Sequence, residues 1–200
     1  MKKNEYRFDI QSLRGLAVLL VIMFHLNLGI ITGGYIGVDI FFVISGFLIT
    51  KFCLEDLKLK KFKLANFYNR RIKKLIPPFF IVLILTYISS FFILEYDHFK
   101  EFSTSMFYSL FSLSNIYFWL DSGYFSSSSM FKPLLHTWSL SVEGQFYLIW
   151  PIVLMLLYKN QKLLITAFLL IIIISFSLNK FYIENNTAFF NAPTRSFQFI

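Results

Sequence analysis

Six stretches of the chain are apolar for long enough to form membrane helices, and polar or basic stretches separate them. They lie at about residues 10–31, 35–52, 75–94, 102–120, 138–158 and 163–178. Each is close to the ~20 residues that cross a hydrocarbon core. Strand-like alternation is missing, and lipid admits only helices or closed barrels, so the pattern predicts an all-α, polytopic transmembrane helical bundle of about six helices. Gly33-Gly34 makes a tight break after the first stretch. Pro77-Pro78 opens the third, where a first turn tolerates proline. The fourth is uncharged and rich in serine, so it either crosses or re-enters. The fifth carries Pro151 as a kink site. After residue 178 the chain turns polar, then apolar again at 196–200, like the start of another helix.

Composition agrees with this pattern. Of the 200 residues 56% are hydrophobic and 15% charged, with mean hydropathy +0.62, against roughly 25% charged in a soluble domain. The net charge of +8 raises the question of nucleic acid. The basic residues lie between apolar spans, however, which is the signature of cytoplasmic loops and argues against a nucleic-acid partner. Between Lys51 and Lys74 there are nine basic and two acidic residues. That loop, and the N-terminus with Lys2, Lys3 and Arg7, are expected in the cytoplasm. Beyond the third stretch the charge bias leaves the orientation open. Lys2 and Lys3 before an apolar run suggest a signal peptide, but no small-x-small cleavage site follows, so the run is expected to stay as a first helix. The lone Cys53 excludes an internal disulfide and a cysteine-based metal set, and no metal site is expected.

Candidate chemistry begins with Arg14 and His25 inside the first stretch, QSLRGLAVLLVIMFHLNL. Eleven positions apart, they share one helical face and sit roughly 16 Å apart along the axis. Arg14 either snorkels to the headgroups or serves a site. His25, between Phe24 and Leu26, is either a satisfied structural histidine or a proton-handling group. Asp39 in an apolar run must pair with a partner or line a wet site. Ser45-Gly46 is a small pair suited to close helix packing. In FYNRRIKKLIPP, Arg70, Arg71, Lys73 and Lys74 either bind anionic lipid headgroups or clamp the phosphates of a donor such as coenzyme A. In HTWSLSVEGQFYLIWP, Glu143 and His136 fall on nearly the same face if the helix starts early. Glu143 either makes a structural ion pair or orients Arg14 or His25. His98 lies in a hydrophilic loop and reads as solvated. P-loop, GxSxG, HExxH and Cys/His metal spacings are missing, which removes the usual signatures of ATPases, soluble hydrolases and metalloenzymes.

Arg14-x10-His25, GGYIGVDIFFVISGFLIT, FYNRRIKKLIPP, SNIYFWLDSGYF and PLLHTWSLSVEGQFYLIWP occur in this order from about residue 7 onwards. Together they resemble the membrane-bound acyltransferase family 3, the O-acyltransferases of bacterial surface sugars. The resemblance implies a multi-pass enzyme of the bacterial inner membrane with a cytoplasmic N-terminus. It would bind no cofactor and would use acyl-CoA, usually acetyl-CoA, as co-substrate. Its acceptor would be a glycan or lipid-linked sugar of lipopolysaccharide, exopolysaccharide or peptidoglycan, and membrane lipids would be its other partners. It implies His25, Arg14 and Glu143 as catalytic residues and Arg70, Arg71, Lys73 and Lys74 as donor-binding residues. Asp39, Ser45, His136, Trp138 and Ser139 would be structural or line the substrate. The chain departs from the family at Gly144 and Gln198, where glutamate is usual, and at Lys73 and Lys74, where arginine is common. The resemblance implies a module of roughly ten membrane helices, so residues 1–200 are expected to be its N-terminal portion, truncated relative to the whole. Two other functions fit the polar ladder: a proton-coupled, transporter-like protein, or an inactive remnant.

Overall fold

The computed structural model describes residues 7–26, 32–122, 128–182 and 186–200. All regular structure among them is helical: α1 (Phe8–His25), α2 (Ile36–Lys58), α3 (Leu64–Ile93), α4 (Tyr96–Leu110), α5 (Ser114–Leu120), α6 (Thr137–Leu157), α7 (Gln161–Phe181), α8 (Asn186–Phe190) and α9 (Ala192–Arg195), with short 3-10 turns at Ser129–Phe131 and Ser196–Phe199. Five of these, α1, α2, α3, α6 and α7, are long and apolar enough to cross a membrane. The all-α polytopic reading therefore holds. The chain forms two compact units, Met1–Ile49 with Gln198–Ile200, and Thr50–Phe197.

In the first unit α1 meets the start of α2 through backbone rather than side chains. A Cβ on Gly37 would strike the Ala17 carbonyl and come within 2.8 Å of Val21 Cγ2. Ala17, fully buried, is the matching small residue on α1. Further along α2, Gly46 lies under the backbone of Phe199, whose Cα would be 2.7 Å from an added Cβ. The Phe199 ring stacks on Phe42 with centroids 4.6 Å apart. The small residue of the Ser45-Gly46 pair therefore serves close packing, as in helix interfaces within lipid generally.

The second unit is arranged around α6, which touches α4, α5, α7, α8 and α9. Val142, Trp150 and Leu154 of α6 are buried. Trp150 Nε1 donates to Thr50 Oγ1 at 2.6 Å, and its ring lies 5.4 Å from Phe146 and 5.0 Å from Phe168. Lys132 and Asp121 form a largely covered ion pair ahead of α6.

Three boundaries differ from the hydropathy pattern. Helix α3 begins at Leu64, so Pro77 and Pro78 sit in its interior rather than its first turn. They cannot bond the carbonyls of Lys73 and Lys74, which are left to other donors. At ~1.5 Å per residue the 30-residue α3 is about 45 Å long, longer than a ~30 Å hydrocarbon core. The serine-rich fourth stretch is two helices, α4 and α5, broken at Phe111–Leu113, with Ser112 at φ 55°. Finally, α1 ends at His25, which therefore lies in a last helical turn rather than deep in a span.

The close contact at Gly37 gives a direct test. Gly37→Ala is expected to lower stability by about 1–3 kcal/mol through overpacking. Gly15→Ala, where nothing lies within 4 Å of the added carbon, is expected to be neutral or to stabilise by up to about 1 kcal/mol. Thermal unfolding in detergent, followed by circular dichroism, separates the two.

Candidate functional site

The break between α4 and α5 releases backbone groups inside an apolar bundle, and α6 supplies their partners. Gln145 Nε2 donates to the Ser112 carbonyl at 3.0 Å and to Asn115 Oδ1 at 2.8 Å. Ser141 Oγ accepts the Ser114 N–H at 3.2 Å and lies 2.7 Å from Ser114 Oγ. Thr137 Oγ1 lies 2.9 Å from Ser114 Oγ and 3.0 Å from Ser109 Oγ. The result is a chain of four hydroxyls, Ser109–Thr137–Ser114–Ser141, running across three helices. It is anchored at the Ser105 carbonyl by Ser109 and at the Leu134 carbonyl by Thr137. Asn115, buried, continues the network to the Phe190 carbonyl at 3.2 Å.

This network backs a cavity of about 440 Å³ between α3, the α4–α5 break and α6. Ile72, Leu75, Ile76, Phe79 and Phe80 of α3 form one wall. Ser109, Ser112, Thr137, Ser141 and Gly144 lie on the opposite side. Arg71 is the charged residue of the lining. Its guanidinium lies over the rings of Phe67 and Tyr147, 5.6 and 5.2 Å from their centroids, a cation–π arrangement. The Tyr147 hydroxyl donates to Glu143 Oε1, one helical turn earlier. Arg71, Tyr147 and Glu143 thus form a line of charge, ring and countercharge.

The structure sorts the residues singled out in the sequence. Of the four cations on α3, Arg71 lines the cavity, Arg70 pairs with Asp56 at 3.5 Å, and Lys73 and Lys74 are exposed. Their shared helix turns them to different sides. Glu143 has Tyr147 among its partners. Asp39, half-buried, has Gln198 among its partners and accepts from its Nε2 at 3.0 Å in the first unit. Ser45 is half-buried beside Gly46 on α2. His136 precedes α6 as its N-cap and is exposed, and Ser139 Oγ donates to its carbonyl at 3.2 Å. Trp138 is buried, 4.5 Å from Phe189, and Arg195 lies over both rings. His98 is not simply solvated: it stacks on Phe131 at 4.2 Å with Nδ1 3.7 Å from Glu101. Next to it, Tyr117 donates to the Glu101 carbonyl at 3.3 Å.

On α1, Arg14 is half-buried and His25 exposed. His25 Nδ1 lies 2.8 Å from the Val21 carbonyl. A carbonyl only accepts, so Nδ1 carries the hydrogen and, in the neutral ring, Nε2 carries the lone pair. Sequence reasoning missed Ser109, Ser114, Ser141, Gln145 and Tyr147. The signals were there: serine density in the fourth stretch, and Ser141 and Gln145 one turn apart on the face of α6 next to Glu143.

The chain matches the family described as an acyltransferase domain over residues 7–200. It is 41% identical over 140 residues to an uncharacterized protein of Haemophilus influenzae, covering 70% of this chain and 57% of that protein. It is 40% identical over 167 residues to the peptidoglycan O-acetyltransferase OatA of Listeria monocytogenes, covering 81% of this chain and 27% of that one. The chain therefore spans just over half the length of the first and about a quarter of the second. No solved structure matches it.

The polar splint predicts its own energetics. Gln145→Leu is expected to destabilise by about 1–3 kcal/mol, because the Ser112 carbonyl and the Asn115 amide oxygen lose their donor. Ser141→Ala is expected to act in the same direction. Ser139→Ala, which removes only a local bond to the preceding turn, is expected within about 0.5 kcal/mol of wild type. Thermal melts of the three purified variants check the order.

Proposed function

This chain belongs to the acyltransferase-domain family, and from that premise we propose that it is an integral membrane O-acyltransferase that moves an acyl group, first of all acetyl, from acyl-CoA to a hydroxyl of a bacterial cell-surface glycan. The observation that carries this reading is the cavity on α3. It sets one guanidinium, Arg71, at the edge of an apolar hollow, on a helix that also bears Arg70, Lys73 and Lys74. In this reading the exposed cations recruit the phosphates of coenzyme A, and Arg71 meets the thioester end. The excess of Lys and Arg between α2 and α3 supports a cytoplasmic side for this face, with the N-terminus on the same side of the plasma membrane. The name of the Listeria relative supports a sugar hydroxyl as acceptor, with lipopolysaccharide, exopolysaccharide and peptidoglycan the candidate classes.

His25 is the general base of the proposal. Its Nε2 lone pair takes the proton of the acceptor hydroxyl, or of a relay group that carries the acyl from the donor side, as that oxygen bonds the acyl carbon. The C–S bond breaks, and the thiolate of coenzyme A recovers the proton. Arg14, on the same helix, steadies negative charge on the donor, and Glu143 holds Tyr147 under Arg71. Asp39, Ser45, His136, Trp138 and Ser139 are structural or substrate-lining residues rather than reacting ones.

Labelled acetyl-CoA and a purified surface glycan, supplied to membranes carrying the protein, test this. His25→Ala is expected to lower transfer by about 10²–10⁴-fold, the usual range for a general base. Arg71→Lys, which keeps the charge but not the planar fork, is expected to raise the KM for acyl-CoA more than it lowers kcat. Transfer by His25→Ala at the wild-type rate would sink the mechanism.

A further inference from the structure

The cavity is much larger than the group that the relatives' names call for. An acetyl group occupies roughly twice the ~30 Å³ of a water molecule, whereas the cavity holds about 440 Å³. Its lining is apolar in effect as well as in composition. Ser109, Thr137 and Ser141 reach the wall, but their hydroxyls bond one another, Ser114 and the backbone carbonyls of Ser105 and Leu134. An alkyl chain lying against these three leaves their hydroxyls bonded, and Ser112 is the further hydroxyl of the lining that it meets.

Resting on the donor reading above, we propose that this cavity is the pocket for the donor's acyl group, that it accepts acyl chains longer than acetyl, and that Gly144 and Leu140 set its reach. Arg71 sits at its charged edge. Its guanidinium, held over the Phe67 and Tyr147 rings, carries five N–H donors, a set suited to a thioester carbonyl. The acyl chain then runs along α3 past Leu75 and Ile76 towards Phe79 and Phe80.

Gly144 keeps this space open. A Cβ there would lie 3.1 Å from Ser112 Oγ and 3.3 Å from Ser112 Cβ. Any side chain must therefore displace the α4–α5 break or turn into the cavity. A glutamate at this position would place a carboxylate against an apolar wall, at a desolvation cost for the charge and a loss of volume. Glycine does neither. Leu140, one turn earlier on α6, closes the same side.

Binding of acetyl-, butyryl- and hexanoyl-CoA to the full chain in phosphatidylcholine nanodiscs, with empty nanodiscs subtracted, tests the proposal by calorimetry. Each methylene buried strengthens binding about three- to fourfold, so hexanoyl-CoA is expected to bind about a hundredfold more tightly than acetyl-CoA if all four added methylenes enter. Leu140→Trp and Gly144→Glu are each expected to bring the hexanoyl-to-acetyl ratio towards one. Should Gly144→Glu fail to fold, Leu140→Trp carries the comparison, and its melting temperature reports its integrity. A flat series in the wild type, as a cavity filled by a lipid tail would give, overturns the pocket and leaves the donor reading standing. A steep series that survives in folded Leu140→Trp also overturns it. Failure of every thioester to bind brings down the donor reading together with the pocket.

Discussion

A helix that breaks inside an apolar bundle frees carbonyls and N–H groups where no bulk water can take them, and each one left unpaired costs on the order of several kcal/mol in hydrocarbon. The arrangement of the second unit follows from this at Phe111–Leu113. The break survives because α6 brings a hydroxyl and a carboxamide to it: Ser141 takes the Ser114 N–H, and Gln145 serves the Ser112 carbonyl. Both lie on one face of α6, and Gly144 between them lets that face come close to Ser112. The adjoining positions, Glu143 and Tyr147, look towards Arg71 instead. One helix thus repairs a neighbour's backbone and holds the charged edge of a cavity, with residues that alternate in sequence.

The consequence is that structure and candidate chemistry are not separable in this stretch. A change at Ser141 or Gln145 loosens the wall of the cavity as well as the splint. The Arg71–Tyr147–Glu143 line is easier to perturb alone, because Tyr147 and Glu143 are one turn apart on the same helix and Arg71 reaches them from α3.

The spans were legible because four of them, α1, α2, α6 and α7, are predominantly apolar runs near twenty residues with few charges. Helix α3 was legible only from Leu75 onwards: hydropathy registers the apolar part and ignores the basic turns before it, although those are equally helical. The break at Ser112 carried no glycine or proline, and its φ of 55° is maintained by partners on α6 that a local pattern does not contain. In the candidate site, the basic cluster on α3 was legible as a cluster. Which of its members meets the cavity was not, because that depends on how the helix is rotated against α4 and α6. The Asp39 partner was out of reach in another way: Gln198 lies 159 positions along the chain. The Glu143–Tyr147 bond, at a spacing of four, is of the kind that sequence can supply.

The length of α3 carries one more implication. Its cations do not sit on a loop that can bend towards a ligand; they belong to the same rod that lines the apolar wall. From Arg71 to Phe80 the axial rise is fixed at about 13–14 Å by helix geometry. A molecule with its polar end at Arg71 is thereby gauged in depth by the helix, and adjustment to a different molecule comes from the facing helices or from the turn at Pro77-Pro78.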